Sequence, residues 1–234
     1  MLTSKTPHTV PRIGVLISGN GSNLQAIIDH QLLHPDLYEI VLVISNKSDA
    51  YGLQRAAQAN IPTQVIDHTQ YTSREAFDAQ LQQSLDTALI DFIVLAGFMR
   101  ILSRGFTEHF LGRMINIHPS LLPKYTGLNT HQRALDAGDS EHGLSVHFVT
   151  PELDGGPVIL QAKVSIEKQD TASDLQQKVH LQEHLAYPKV IEWLASGRLA
   201  FKNNQAWLDQ TLLVSPPVLS GLNAHLSAQS DRYK

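Results

Sequence analysis

Short apolar runs alternate with longer stretches of helical spacing through the first half of the chain. Ile13 to Ile17 is apolar apart from Gly14; Gly19, Asn20 and Gly21 then supply turn chemistry, and Leu24-Gln25-Ala26-Ile27-Ile28 opens a helical pattern. Further apolar runs at Ile40 to Ile44, Val65-Ile66 and Phe92 to Ala96 are separated by helix-like stretches at Gly52 to Asn60 and Ser73 to Thr87. Followed by a strand over Met114 to His118, this order predicts an α/β fold with a doubly wound, mostly parallel sheet, whose ligands sit beyond the carboxyl ends of the strands. After Gly143 the texture changes. Ser145 to Val149 and Val158 to Val164 are two strand-like runs joined by a glycine-rich turn, which predicts a β-hairpin. Thr171 to Ala195 carries spaced leucines and valines suited to a long helix on the sheet, kinked at Pro188. From about Asn203 the pattern fades, and Ser215 to Lys234, with Pro216-Pro217 and small polar residues, is expected to be a loosely ordered tail with no catalytic share. The organisation is therefore one domain over 12–202, between an N-terminal extension, 1–11, and a C-terminal tail, 203–234.

Composition narrows the classes. With 42% hydrophobic residues in 234, the chain can bury one good core. A formal charge of -4 and the absence of a Lys/Arg cluster argue against a nucleic acid partner. There is no cysteine, which excludes disulfides, a thiolate nucleophile and a zinc-cysteine site. The longest apolar stretches, such as Ala88 to Met99, are interrupted by Asp91 and are too short to span a bilayer. Without the long apolar segment of a signal peptide at its start, the chain is expected in the cytoplasm.

The candidate chemistry gathers in Asn116-Ile117-His118-Pro119-Ser120-Leu121-Leu122-Pro123 and Leu153-Asp154-Gly155-Gly156-Pro157. On a strand, residues two apart point the same way, so Asn116 and His118 share a face, and the prolines place the pair at the strand's end. An amide donor, an imidazole and a carboxylate suit acyl transfer: attack by an amine on a carbonyl builds negative charge on oxygen and positive charge on nitrogen, which calls for a fixed donor and a proton manager. Residue by residue a plainer reading is also open, in which Asn116 caps a turn, His118 is a satisfied half-buried histidine and Asp154 opens the Asp-Gly-Gly turn.

Three other features carry possible chemistry. Gly19-Asn20-Gly21-Ser22-Asn23-Leu24 follows a strand and precedes a helix but lacks the third glycine of a dinucleotide fingerprint, so it is either a cradle for a phosphate monoester or simply a tight turn. Gly97-Phe98-Met99-Arg100-Ile101-Leu102 surrounds one cation with apolar side chains, which fits either a flat heterocycle or core packing. His180-Leu181-Gln182-Glu183-His184 has the spacing of one metallopeptidase class, yet nothing in the sequence singles out a further ligand, and the reaction is expected to be metal-free.

From about Arg12 to Leu199 the chain resembles the folate-dependent phosphoribosylglycinamide formyltransferases. The resemblance is carried by Ser18 to Gln25, Ser73-Arg74-Glu75, Leu95 to Leu102, Asn116 to Pro123, His142-Gly143 with Ser145-Val146-His147-Phe148, and Leu153 to Pro157. It implies transfer of a formyl group from 10-formyltetrahydrofolate to the amine of glycinamide ribonucleotide in purine synthesis. It implies Asn116, His118 and Asp154 as the catalytic group, with Gly21, Ser22 and Asn23 on the substrate phosphate. Glu183 becomes a substrate contact, with His180 a second candidate. Met99, Arg100, Ile101 and Leu102 would face the pterin, joined by Asn116, and Arg74 would contact the folate. Two positions depart from the family's usual loop: Thr126 stands where proline is common and Asn129 where histidine is. A methionyl-tRNA formyltransferase or a formyltetrahydrofolate hydrolase would call for an additional domain. A sugar-nucleotide formyltransferase and a non-catalytic nucleotide-binding protein are the competing readings. The expected state is a monomer or homodimer, with neither nucleic acid nor membrane as partner.

Overall fold

The computed structural model describes residues 10–219. Its main sheet has eight strands in the order β11-β7-β6-β5-β4-β1-β2-β3. The parallel half comprises β1 (Arg12–Ile17), β2 (Glu39–Ser45), β3 (Thr63–Val65), β4 (Phe92–Leu95) and β5 (Met114–His118). β1, β2 and β4 follow apolar runs of the sequence, β3 meets the Val65-Ile66 run only at Val65, and β5 is the strand expected over Met114 to His118. The helices between them are α1 (Ser22–Leu33), α2 (Tyr51–Gln58), α3 (Arg74–Thr87) and α4 (Arg104–His109). Strand order reverses at β1, as in a doubly wound sheet.

Direction then changes. β6 (Glu141–Phe148) runs antiparallel to β5 and pairs with β7 (Val158–Ser165) as the expected hairpin. A short helix, α5 (Thr130–Asp136), lies in the β5–β6 connection, and α6 (Ala172–Ala195) follows β7. Helix α6 begins with a reciprocal capping box: the Thr171 side chain accepts from the Asp174 backbone amide while the Asp174 carboxylate accepts from the Thr171 amide. Pro188 sits inside this helix, buried.

The two faces of the sheet bury separate cores. On one, Val15, Ile17, Ile115, Ile117, Val146 and Leu160 pack with Leu24 and Ile27 of α1 and with Val179, Tyr187, Val190 and Ile191 of α6. On the other, Leu16, Ile44, Ile93, Leu95 and Met114 pack with Phe77, Leu81 and Leu85 of α3 and with Phe106 of α4. Strand β5 thus buries both faces until its carboxyl end, where the polar Asn116 and His118 replace apolar residues.

The fading pattern after Asn203 does not correspond to a loose tail as far as Leu219. Strands β8 (Leu199–Lys202), β9 (Gln205–Leu208) and β10 (Thr211–Leu212) form a small antiparallel sheet, and β11 (Val218–Leu219) adds an edge to the main sheet beside β7. The strands are too short for a period-2 pattern to declare itself. Residues 1–9 of the expected extension and 220–234 of the expected tail lie outside the described residues.

Tyr187 ties α6 to the middle of the sheet. Its fully buried hydroxyl lies 2.8 Å from the Leu95 carbonyl and 3.2 Å from that of Ile115, on adjacent strands β4 and β5. Tyr187→Phe removes this donor and leaves both carbonyls buried, so urea unfolding should show a loss of about 1–3 kcal/mol with an unchanged denaturant slope. An unaltered midpoint would remove Tyr187 from the account of how the helix is fixed.

Candidate functional site

The site lies where β1, β4 and β5 end. Asn116 and His118 project from the same side of β5, as their spacing predicts, and the loop after them is pinned. The Ser145 hydroxyl donates to the Ser120 carbonyl at 2.7 Å and accepts from the Leu122 amide at 2.9 Å. Gln161 donates to both the Leu122 carbonyl and the Ser145 hydroxyl oxygen. The Leu122-Pro123 peptide is cis, and Tyr125 lies in the left-handed region with a φ of 56°. That conformation turns the Tyr125 carbonyl onto His118, where it accepts from Nε2 at 2.8 Å.

Asp154 comes from the other segment, the connection between β6 and β7. Its φ is 49°, and its side chain is almost wholly buried. One carboxylate oxygen accepts from the Gly127 amide at 2.8 Å and lies 3.6 Å from His118 Nδ1; the other lies 3.8 Å from His147 Nε2. The flanking glycine matters here. A Cβ at Gly156 would overlap the Phe148 carbonyl, so only glycine lets the loop pass this close to the end of β6.

His147 is the member that sequence reasoning missed. The antiparallel register sets it directly opposite Asn116 and sets His118 opposite Ser145. Its Nδ1 lies 2.9 Å from the Phe148 carbonyl, which can only accept, so the ring proton is on Nδ1. Nε2 is then the acceptor, and Asn116 Nδ2 donates to it at 3.1 Å. Burial pushes the His147 imidazole below its usual range and outweighs the Phe148 carbonyl and Asp154, which favour the charged ring; neighbouring His118 acts with burial. The neutral ring therefore fixes which way the Asn116 amide points, leaving its second N–H directed elsewhere. The signal was available in the hairpin: once β6 is placed antiparallel beside β5, a histidine across from Asn116 follows from register alone.

The glycine turn adjoins this group through α6. Gly21, with φ 75°, caps α1 without a side-chain cap, and Asn23 Nδ2 donates to Glu183 Oε2 at 2.8 Å. Glu183 is buried, and burial raises its carboxyl above the ordinary range; His180, 4.0 Å away, the Asn23 hydrogen bond and His118 pull the other way. Gly21, Ser22, Asn23, Glu183 and His180 are thus brought to one place. Glu183 is turned towards Asn23, and the His180 and His184 rings stack at 6.3 Å. Among the described residues no set of three or more histidine and acidic side chains is arranged to hold a metal ion.

The loop after β4 begins tied down: the Met99 amide donates to Ser18 Oγ at 2.8 Å, and Ser18 in turn donates to Asn46. Phe98 is buried against Phe77 at 6.5 Å and serves packing, while Leu102 is partly buried at the edge of the same core. Met99 and Ile101 are 64% and 58% exposed, and Leu153 beside Asp154 is 57% exposed, apolar surface available to a flat ligand. Arg100 is half-buried. Arg74 is exposed in the first turn of α3 after the Ser73 cap, one turn before Asp78, whose carboxylate accepts from the Ser103 amide just after Leu102. Asn129, one of the two departures from the expected loop, takes the left-handed conformation that asparagine tolerates and starts α5.

Comparison with known proteins agrees with this geometry. The formyl transferase family model matches residues 11–191. The phosphoribosylglycinamide formyltransferase of Escherichia coli is 57% identical over 197 residues, covering 84% of this chain and 93% of its own. Its counterpart in Haemophilus influenzae is 50% identical over 198 residues, covering 85% of this chain and 93% of its own. The solved phosphoribosylglycinamide formyltransferase of Coxiella burnetii superposes with a TM-score of 0.85 at 54% identity, covering 90% of this chain and all of that one. With the polar group at the end of β5 embedded in a match of this extent, the chain belongs to the formyl transferase family, among its phosphoribosylglycinamide formyltransferases.

Proposed function

We infer that the chain transfers the formyl group of 10-formyltetrahydrofolate to the amine of glycinamide ribonucleotide at the Asn116, His118 and Asp154 group, with no covalent enzyme intermediate. The observation that carries this reading is the Asn116 amide held by His147 at 3.1 Å, on the same strand face as an imidazole backed by a carboxylate 3.6 Å away. A donor whose orientation is fixed before the reaction costs no reorganisation when charge develops, which is the requirement for stabilising an oxyanion.

The chemistry then runs in two steps. The substrate amine attacks the formyl carbon, forming the new C–N bond and moving the carbonyl electron pair onto oxygen. The free N–H of Asn116 and the Nε2–H of His118 donate to that oxyanion, the formyl oxygen replacing the Tyr125 carbonyl as the Nε2 acceptor. As the intermediate collapses, the carbon–nitrogen bond to the folate breaks and the proton lost by the attacking amine passes to the departing folate nitrogen. Asp154, hydrogen-bonded to the Gly127 amide, holds the imidazole through Nδ1.

Binding is divided between the two ends of the site. The amides after Gly21, with Ser22 and Asn23, take the substrate's phosphate at the start of α1, and Glu183 takes a ribose hydroxyl or the amine. Met99, Ile101 and Leu102 flank the pterin, whose polar edges meet backbone groups; Arg100 joins them, and Arg74 meets the acidic tail. The apolar exposure of Met99, Ile101 and Leu153 supports this placement. Among the described residues no helix is long and apolar enough to cross a membrane, and a cytoplasmic setting fits the reading. The test is direct: purified protein with glycinamide ribonucleotide and a formyl-folate analogue should release deformylated folate, followed by absorbance. No release, while mononucleotides still bind, would favour a non-catalytic nucleotide-binding protein.

Two variants test the roles. Asn116→Ala should fold and bind both substrates yet lose roughly 10²- to 10³-fold in kcat, as removal of an oxyanion donor does elsewhere. Full turnover by the folded variant would contradict the assignment. His147→Phe keeps a ring of similar volume but takes away the Asn116 acceptor; kcat should fall about tenfold, with KM for both substrates within about twofold. A fall in melting temperature with kcat unmoved would make His147 a packing residue instead.

A further inference from the structure

Arg55 on α2 is buried, 6% exposed, beneath the glycine turn. Its Nε donates to the Asn20 carbonyl at 2.9 Å, one terminal nitrogen to Asn20 Oδ1 at 3.0 Å, and the other to Gln25 Oε1 at 3.3 Å. The Tyr51 ring lies 4.8 Å from the guanidinium carbon. Every hydrogen-bond acceptor around this charge is neutral, and among the described residues no carboxylate lies within ion-pair distance of it. A buried cation without a counter-charge is expensive to keep, so a purely structural role would be better served by an uncharged side chain or a paired one.

The surroundings show what it is held against. Gly52, at the start of α2, donates its amide to the Gly19 carbonyl at 3.1 Å. A Cβ at Gly21 would come within 2.7 Å of the Gly52 Cα, and one at Gly52 would lie 2.5 Å from Ile17. Two glycines back to back thus let the first turn of α2 press against the turn between β1 and α1, and Arg55, one helical turn later, grips it through both the backbone and the side chain of Asn20. Gln25, its third partner, lies in the first turn of α1, so the guanidinium spans the turn and the helix start together.

We propose that Arg55 is a positioning residue for the substrate's phosphate: it fixes the 19–23 turn with its amides outward and supplies the buried positive charge that the phosphate dianion completes. This rests on the functional reading above in placing a phosphate at Gly21, Ser22 and Asn23. Arg55 acts through Asn20 and Gln25 and through its field, without touching the reacting atoms. A guanidinium fork suits the task because one planar group meets the Asn20 carbonyl and the Asn20 side chain at once, a pairing an ammonium does not reproduce.

The test compares wild type with Arg55→Met and Arg55→Lys, using glycinamide ribonucleotide, the same substrate without its phosphate, and inorganic phosphate as a calorimetric probe. For Arg55→Met, KM for the ribonucleotide should rise roughly 10- to 100-fold, the range expected for a charge-assisted interaction, while KM for the formyl-folate changes by less than about twofold. The preference for the phosphorylated over the dephosphorylated substrate should fall by the same factor, and Arg55→Lys should recover part of it. Equal losses on both substrates, or a folded variant that keeps the full preference, would overturn the proposal. Should Arg55→Met not fold, Asn20→Ala reads the same link from its other end, and an unchanged ribonucleotide KM there would overturn it equally. Wild-type turnover decides the functional reading separately: if wild type binds phosphate but transfers no formyl group, that reading fails, while Arg55 is still judged by whether its variants lose the phosphate.

Discussion

The antiparallel register of β6 against β5 is the constraint on which the site depends. It sets His147 opposite Asn116 and Ser145 opposite His118 in a single stroke. One pair orients an amide; the other holds the loop that follows the histidine, because the Ser145 hydroxyl bonds both the Ser120 carbonyl and the Leu122 amide. A slip of one residue would turn both partners to the opposite face of the sheet. The register is defended from both sides of β6, by buried Leu144, Val146 and Phe148 on one face and by the close approach of Gly143 to the backbone of β7 on its outer flank, where a Cβ would overlap the Ala162 carbonyl.

The electrostatics follow from that geometry. His118, His147 and Asp154 are all nearly buried, with one carboxylate shared between two imidazoles. His147 is kept neutral by burial and its proton is committed to the Phe148 carbonyl, so its other ring nitrogen is an acceptor for Asn116. The second ionisable pair, Glu183 with His180, hydrogen-bonded through Glu183 to Asn23, is separate in the chain but close enough for His118 to influence it, which brings the glycine turn and the end of β5 into one electrostatic neighbourhood.

Much of this was legible in the sequence, for identifiable reasons. Strands β1, β2 and β4 declared themselves because they are largely buried and read as apolar runs, whereas the exposed edge strand β3 meets its expected run only at Val65; the β6–β7 hairpin showed through its glycine-rich turn. Asn116 and His118 could be placed on one face by period alone. Helix α5 and strands β8 to β10 could not be read, since helices of seven residues and strands of two to four carry too few positions for a period to emerge. His147 was overlooked because its meaning depends on a cross-strand neighbour, and Arg55 because on an amphipathic helix an arginine reads as solvated until its burial is seen. The grouping of Arg74 and Glu183 with the site came from family resemblance; local spacing alone marks both as ordinary helix surface.

The central claim is that the Asn116 amide acts on the formyl oxygen because His147 holds it. A double-mutant cycle on kcat, combining Asn116→Ala with His147→Phe, tests that link most directly. The account predicts strong non-additivity: once Asn116 is gone, the second substitution costs almost nothing further. Independent, multiplying losses in kcat would contradict it, since His147 would then be acting on the reaction by a route that does not pass through the amide.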